Sequence, residues 1–394
     1  MQKNNKMDFP TRGVFDLETF EIVKDVFNDS WENGIDFGFQ GKFENLFTES
    51  FNNFQGGGFS DAVSSGTGGI YVALQSLGLP ENSDILISPI TNPGSVSPIL
   101  LQNMNIVIVD SAKNSPLIDA EQFLKSITKN TKAAILTHTS GFPINMNPIM
   151  EIAKGYNIKI IEDCSQAHGA EFNKQKVGTF GDIAIFSTMY SKTLAAGGSS
   201  GLIYTKDEEL YWKIRSFADR GKDFQNKEFD QRRMDKYLFP ALNFNSDEIS
   251  CAIGYSQIKK LKNIILNRFE IIQKIDYFLK KNSKVLSLGI ALNNTYFPSV
   301  FHCPIYVNVS LLNCSKIEFA QLLQERGIWL NPHHYELVEE WEMLEKNNFH
   351  TPNAKLFRDS TFNLLLHENL TEEYIQLIFQ QFLTVEKEFL KDIV

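Results

Sequence analysis

Seven short apolar segments between residues 61 and 204 constrain most strongly how this chain can fold. Most are dominated by Ile, Val, Leu or Ala, as in strands buried on both faces, and they lie at 61–64, 85–87, 106–109, 133–136, 158–161, 183–186 and 201–204. Helical patterns separate several of them, for example at 149–156. Alternating strands and helices form parallel βαβ units, so we predict an α/β fold with a mostly parallel seven-stranded sheet covered by helices. Only a loop separates the last two segments, which is compatible with one antiparallel strand.

The pattern changes after about residue 246. A long amphipathic helix over 249–281 precedes strand-like runs at 299–302 and 306–309, and further helical patterns cover 317–326 and 371–390. This mixture predicts a smaller α+β domain in the C-terminal part of the chain.

We therefore expect two domains. Residues 1–250 would form a large domain that includes an N-terminal arm over 1–55, and residues 251–394 would form a small domain. The arm is polar, aromatic and rich in Asn, and it ends in Gln-Gly-Gly-Gly at 55–58, which we expect to be a flexible joint. A chain of 394 residues is long enough for two hydrophobic cores.

Charge and composition argue against several classes of protein. The net charge of −9 speaks against nucleic acid or an anionic membrane as the main partner, because both select basic surfaces. We find no apolar signal segment at the start and no stretch of about 18 apolar residues, so we expect a cytoplasmic protein without a membrane span. The four cysteines form no CxxC pair, and the adjacent His333 and His334 would diverge in a regular element, so we expect no metal site.

Three polar segments follow predicted strands, and the first is Ser64-Ser65-Gly66-Thr67-Gly68-Gly69. Small residues let a ligand approach the backbone, and the helix that follows presents free N–H groups and a positive dipole end to a phosphate. The same residues also fit a tight turn in which Thr67 caps the helix. The segment alone leaves both interpretations open.

The second segment, 162–169, reads Glu-Asp-Cys-Ser-Gln-Ala-His-Gly at the end of a buried strand. A carboxylate at this place could hold the proton of a ring nitrogen in a ligand. A helix cap followed by a core histidine also explains it, and by itself the segment favours that simpler interpretation.

The third segment, 187–201, places Lys192 in a loop of small residues directly after a buried strand. Most lysines are solvated surface charges. A lysine flanked by small groups at a strand end, however, fits a Schiff-base nucleophile.

Together and in this order, the segments supply a phosphate cradle, an acid for a pyridine nitrogen and a Schiff-base lysine, as a fold-type-I pyridoxal-phosphate (PLP) enzyme requires. The chain resembles the DegT/DnrJ/StrS family of PLP-dependent sugar aminotransferases over residues 12 to 390. The resemblance rests on SSGT before a helix, EDxxQAHGA, VGTFGDIAIFS, SK-x-L-x-x-GG, HTSGFP at 138–143, and NFNSDE followed by AIG within 243–254.

The resemblance implies a role for each matching residue. Lys192 would form the Schiff base and move protons, and Asp163 would pair with the pyridine nitrogen. Asn243 would reach the phosphate of the neighbouring subunit's cofactor, which implies a homodimer with shared active sites. His168 fits a place behind the cofactor and a place in the core equally well. The remaining cofactor contacts would come from Gly66, Thr67, Gly68, Asn92, Gln166 and Ser187.

Two positions depart from the family pattern. Asn92 stands where an aromatic residue commonly stacks on the cofactor ring. The family's Asn-Tyr-Arg-Met reads Asn-Phe-Asn-Ser at 243–246, so an arginine is missing. These departures bear on the substrate more than on the cofactor.

The resemblance implies that an amino acid, glutamate in this family, donates an amino group to a nucleotide-linked keto-deoxysugar through pyridoxamine phosphate (PMP), for a surface polysaccharide or glycoconjugate. A PLP- or PMP-dependent dehydratase of the same family and a non-catalytic regulator with the same fold are the alternatives. Family dehydratases have often lost the lysine, so Lys192 favours transamination. The complete set of site residues argues against a regulator.

Overall fold

The computed structural model describes residues 10–333, 336–344 and 349–391. The strands in chain order are β1 (Phe59–Val63), β2 (Asp84–Ile87), β3 (Asn105–Ile108), β4 (Thr131–Thr137), β5 (Lys159–Asp163), β6 (Glu171–Phe172), β7 (Gln175–Lys176), β8 (Ile183–Ser187), β9 (Gly201–Thr205), β10 (Leu286–Leu288), β11 (Tyr296–Phe297), β12 (Cys303–Val307), β13 (Leu330–Asn331) and β14 (Thr361–Leu364). The α-helices are α1 (Leu17–Asn33), α2 (Lys42–Gln55), α3 (Gly66–Ser76), α4 (Pro93–Leu101), α5 (Ala120–Ser126), α6 (Met146–Tyr156), α7 (Glu208–Ala218), α8 (Glu248–Asn282), α9 (Lys316–Glu325), α10 (Pro352–Ser360) and α11 (Glu372–Phe389).

The predicted seven-stranded sheet is confirmed, in the order β1-β9-β8-β5-β4-β2-β3. Strand β9 runs antiparallel to both of its neighbours, and the pairs from β8 to β3 are all parallel. Successive side chains of a strand point to opposite faces, so Leu86 packs into one hydrophobic cluster while Ile85 and Ile87 pack into another. Both faces of the sheet are therefore covered, as the continuous apolar runs predicted.

The described part of the N-terminal arm forms two helices that the sequence analysis did not predict. Helix α2 packs against α8 and buries Phe43, Phe47 and Phe51, which follow one another at four-residue spacing. The flexible joint at 55–58 stays a prediction. Gln55 is the last residue of α2, and the three glycines that follow all have positive φ. A Cβ on Gly58 would lie 2.5 Å from the Tyr204 hydroxyl.

A second sheet lies in the C-terminal half, in the order β10-β12-β14-β13, with every pair antiparallel. Helices α9 and α11 pack beside this sheet, so the predicted α+β character is confirmed. The predicted strand at 299–302 is wrong, because these residues donate hydrogen bonds to the 139–141 turn instead of to a neighbouring strand. Its β-branched and aromatic composition suggested a strand, but β12 begins only at Cys303.

Helix α8 connects the two halves of the chain. Its first turns, including Leu261, pack with α2 and β8, while its last turns, including Ile275, pack with the second sheet. Because one helix serves both cores, the division at residue 250 stays a prediction. Within the described residues, no helix has the length and apolar character that a membrane crossing requires.

Candidate active site

The three polar segments of the sequence meet at one cavity of about 300 Å³. It lies where β1, β2, β5 and β8 end, which is where open α/β sheets bind ligands. The cavity is lined by Ser65, Gly66, Thr67, Ile70, Asn92, Gly94, Ser95, Asp163, Ser165, Gln166, Ser187, Met189, Lys192, Ser199 and Ser200. Seven of the predicted site residues are thus brought together: Gly66, Thr67, Asn92, Asp163, Gln166, Ser187 and Lys192.

The first turn of α3 forms one wall of the cavity. Ser65 is the N-cap, and its Oγ accepts a hydrogen bond from the Gly68 amide at 3.0 Å, so the alternative in which Thr67 caps the helix is wrong. A Cβ on Gly66 would lie 2.8 Å from Cβ of Ser187, so only glycine lets this turn approach the end of β8. The first helical turn leaves backbone N–H groups without intrahelical partners, which suits a phosphate.

Asp163 ends β5 at the floor of the cavity and is 3% exposed. Its Oδ2 accepts a hydrogen bond from Ser95 Oγ at 2.6 Å, and its Oδ1 accepts one from the Ser165 amide at 3.0 Å. Both oxygens are held, so the carboxylate has a fixed orientation. Ser95 was not predicted as a site residue, although it lies only three residues after Asn92.

Lys192 lies in the loop between β8 and β9 and lines the same cavity as Asp163. Burial lowers the pKa of the Lys192 amine, and the negative charge of Asp163 partly opposes that effect. A lowered pKa increases the fraction of neutral amine, which is the nucleophilic form.

Of two further residues of the second segment, Gln166 lines the cavity and His168 lies next to it. Gln166 accepts a hydrogen bond at Oε1 from the Ser140 amide at 2.7 Å, which orients its side chain. His168 is fully buried and its ring lies 5.6 Å from that of Phe186. Burial, with the positive charge of Lys192, lowers the pKa of His168 to about 3, so this ring is neutral. His168 therefore lies in the core next to the site and does not line the cavity.

The other predicted residues have the following places. Asn92 is exposed and caps α4, accepting a hydrogen bond from the Gly94 amide at 3.0 Å. Gly68 lies against Phe244, whose ring a Cβ would meet at 2.8 Å. Asn243 is exposed in a turn, where its Oδ1 accepts from the amide of Asn245 at 3.1 Å, and it does not line the cavity of its own chain.

A buried ionic group behind the Lys192 loop was also missed. Arg12 donates hydrogen bonds to the backbone carbonyls of Lys192 and Thr193 at 2.9 and 3.1 Å. Glu368 forms ion pairs with Arg12 and Arg268 at 2.9 and 2.8 Å. The three charges come from distant parts of the chain, and no local pattern marks them.

His138, Glu162 and Cys164 form a buried cluster with metal-ligating atoms within 4.8 Å of one another. The atoms of His138 and Glu162 are already engaged. His138 Nδ1 accepts a hydrogen bond from the Ile144 amide at 3.0 Å, and Nε2 lies 3.0 Å from Glu162 Oε2. Glu162 also accepts three backbone N–H groups from the 178–181 turn. The cluster therefore connects β4, β5 and this turn.

The sequence analysis also considered the adjacent pair His333 and His334 as metal ligands. His334 lies outside the described residues.

The residues of the cavity fit PLP. The Gly66 turn leaves room for a phosphate at a helix N-terminus, the fixed Asp163 carboxylate suits a protonated pyridine nitrogen, and Lys192 faces the same space. A doubly wound sheet with this site at its strand ends defines the class of PLP-dependent transferases.

Comparison with known proteins agrees with this class. The model of the DegT/DnrJ/EryC1/StrS aminotransferase family matches residues 21–383. GDP-perosamine synthase of Escherichia coli O157:H7 is 31% identical over 251 residues, 64% of this chain and 65% of the synthase, so the alignment spans just under two thirds of that protein. The aminotransferase from Psychrobacter cryohalolentis has a TM-score of 0.87 and 23% identity, covering 96% of this chain and 99% of that one. A Bacillus subtilis protein with bound cofactor PMP has a TM-score of 0.84 and 21% identity, and the alignment covers 98% of this chain and 87% of that one.

The chain belongs to the DegT/DnrJ/EryC1/StrS aminotransferase family. It is a PLP-dependent aminotransferase, as the sequence analysis predicted.

Proposed function

We propose that this enzyme moves an amino group from an amino acid, glutamate by family resemblance, to the ketone of a nucleotide-linked keto-deoxysugar. The observation that carries the proposal is the single cavity that contains the Gly66 turn, Asp163 and Lys192. The similarity to a GDP-perosamine synthase supports a nucleotide sugar as the acceptor. We further propose a cytoplasmic enzyme that supplies an amino sugar for a surface polysaccharide or glycoconjugate.

Lys192 and Asp163 would carry the proton chemistry. When bound, PLP supplies a ring that withdraws electrons from the carbon next to the amine. Asp163 would hold a proton at the ring nitrogen, because its carboxylate is fixed by Ser95 and the Ser165 amide. Lys192 would accept and return the proton at the reacting carbon, since its lowered pKa brings the amine closer to neutral pH.

The remaining residues would bind and orient the cofactor. The amides and side chains at 66–68, together with Ser187, would hold the phosphate, and Gln166 would lie beside the ring. Asn243 would complete the phosphate site of a second subunit, which would make the enzyme a homodimer with shared sites. This proposal agrees with its exposed place in a turn away from its own cavity. The proposed domain division at residue 250 falls in the first turn of α8, so most of this helix would belong to the small domain.

The amino donor and the reaction type are tested together by a half-reaction. Glutamate added to the PLP-loaded enzyme should bleach the visible absorbance, and a keto-deoxysugar nucleotide should restore it, with mass spectrometry showing an amino group in place of the ketone oxygen. Lys192→Ala should abolish both changes. Lys129→Ala, which removes an exposed lysine after α5, is the matched control and should keep them. A product that still has the ketone, lacks one hydroxyl group of the substrate and contains no added nitrogen would instead identify a dehydratase.

A further inference from the structure

The irregular segment 299–302 brings an aromatic ring onto the amino group of Lys192. The centroid of the Phe301 ring lies 4.6 Å from Nζ of Lys192. An ammonium within about 6 Å of a ring centroid is attracted by the negative face of the ring. Phe301 comes from the C-terminal half of the chain, so a residue remote in sequence touches the reactive atom of the site.

Backbone contacts fix the place of this ring. The Phe301 amide donates to the Ser140 carbonyl at 2.8 Å, and the Ser299 amide donates to the Gly141 carbonyl at 2.9 Å. Gly141 has a φ of 87°, and a Cβ there would lie 2.8 Å from the Phe301 nitrogen, so this approach requires glycine. The 139–141 turn and segment 299–302 are therefore closely fitted to each other.

The backbone of this segment is strained. Val300 is fully buried and has a φ of 36°, which is unfavourable for a β-branched residue. Such strain persists only where the surrounding contacts impose it, and it is concentrated at functional sites. The Val300 carbonyl accepts a hydrogen bond from Arg268 at 3.2 Å, which helps to hold the segment.

The same turn also contacts a cofactor residue. The Ser140 amide donates to Gln166 Oε1 at 2.7 Å, while the Ser140 carbonyl accepts from Phe301. Ser140 itself has a φ of 62°. One residue thus connects a lining side chain of the cavity with the ring that covers Lys192.

We propose that Phe301 is a further positioning residue of the active site, which holds the amino group of Lys192 against its ring and favours the charged form of that group. The proposal rests on the assignment of Lys192 as the reactive lysine. The Phe301 ring contacts the lysine. The aromatic residue that commonly stacks on the cofactor in this family is replaced here by Asn92.

The other charged and titratable groups around Lys192 do not fix its protonation by themselves, so the Phe301 ring can influence it. Asp163 favours the charged amine, and burial opposes it. His168 and His302 both have pKa values lowered to about 3, by burial and then by the charge of Lys192, so both rings are neutral. Arg12 contacts the backbone of the Lys192 loop and pairs with Glu368. A ring face at 4.6 Å therefore acts on an amine whose charged form is disfavoured by burial and favoured by Asp163.

The test measures the pKa of Lys192 in the apoprotein. The rate of reductive methylation by formaldehyde with cyanoborohydride as the hydride donor is followed against pH, and the methylated Lys192 peptide is quantified by mass spectrometry. Replacing Phe301 by 3,4,5-trifluorophenylalanine keeps the shape of the ring but withdraws electron density from its face. The apparent pKa of Lys192 should then fall by about 0.4–0.7 unit, which corresponds to a cation–π energy of about 0.5–1 kcal/mol. Phe301→Tyr should keep the wild-type value, and Phe301→Leu should shift it downward.

The matched control is the same analogue at Phe297, which packs at 5.0 Å against Phe269 and should leave the pKa of Lys192 unchanged. An unchanged pKa with the analogue at position 301, or an equal shift with the analogue at position 297, would overturn the proposal. These outcomes are independent of turnover. If borohydride attached PLP to another lysine, the assignment of Lys192 would fail, while the apoprotein titration would still report the contact with Phe301.

Discussion

Loss of Glu368 should weaken the ionic group that supports the Lys192 loop. The Oε1 of Glu368 accepts from Arg12 Nε at 2.9 Å, and its Oε2 accepts from Arg268 Nε at 2.8 Å. Arg12 also donates to the backbone carbonyl of Lys192, so the ionic group supports the loop that contains Lys192 directly. Glu368→Gln keeps the size of the side chain but leaves two guanidinium groups without their shared counter-charge.

The loss of stability expected for Glu368→Gln follows from the burial of the three charged side chains. The side chains of Arg268, Glu368 and Arg12 are 3%, 7% and 16% exposed. Removing one partner of a buried ion pair costs about 3–5 kcal/mol, and glutamine still accepts one hydrogen bond, so we expect a loss of about 3 kcal/mol in the free energy of unfolding. Urea denaturation of the apoprotein measures this loss. The control is Glu372→Gln, whose carboxylate pairs with Lys274 at 2.8 Å but is 56% exposed, and the urea midpoint should not change.

The pH dependence gives an independent check. Burial by itself would raise the pKa of Glu368, but the charges of Arg268 and Arg12 outweigh burial and hold the pKa below its ordinary value. A carboxylate with a lowered folded-state pKa stabilises the fold above the unfolded pKa of about 4.3, and this contribution is lost as the pH falls through the folded pKa. The difference between wild type and Glu368→Gln should therefore shrink in acid. Equal stability of the two Gln variants, or a difference that stays constant down to acid pH, would refute the reasoning.

Three further experiments test the cofactor site. Asp163→Asn should bind PLP, measured by equilibrium dialysis, yet lose nearly all turnover because an amide cannot hold the pyridinium proton; near-normal turnover would contradict its role. Asn92→Phe should remain active, and a ring stacked on the cofactor should tighten PLP binding by about 0.5–1.5 kcal/mol. Loss of the α4 cap should lower the stability of the apoprotein by about 1 kcal/mol. Unchanged PLP affinity would show that position 92 does not face the cofactor. A heterodimer of one Lys192→Ala subunit and one Asn243→Ala subunit should regain up to half of the activity of the wild-type dimer, because one of its two shared sites is intact. Wild-type PLP affinity in the Asn243→Ala homodimer would contradict the shared site.

The sheet and the cavity could be predicted because their signals are local. Parallel strands buried on both faces give continuous apolar runs, and the carboxyl ends of such strands meet at one edge. Asp163 and Ser187 each end a strand, so their place in one cavity follows from the pattern of runs alone. Helix α2 was also within reach, since Phe43 and Phe47 show helical spacing within a segment that we described only by composition.

Arg12 and Phe301, which contact Lys192 or its loop, and Glu368, which pairs with Arg12, could not be predicted because tertiary contacts position them. Arg12 and Glu368 are 356 residues apart in the sequence, and each alone looks like a surface charge. The ring of Phe301 reaches Lys192 only because residues 299–302 pair with the 139–141 turn, although their composition is that of a strand. Ser65 and Thr67 both suit a helix cap, and the choice depends on where α3 begins.

Covalent trapping at Lys192 tests the central claim most directly. The enzyme loaded with PLP should be yellow, and reduction with borohydride should remove the visible absorbance and fix the cofactor to one peptide. We predict that peptide mapping finds the cofactor on Lys192, and that Lys192→Ala gives no trapped product while Lys129→Ala gives as much as wild type. Trapping on a different lysine, or no trapping in the wild-type enzyme, would contradict the account.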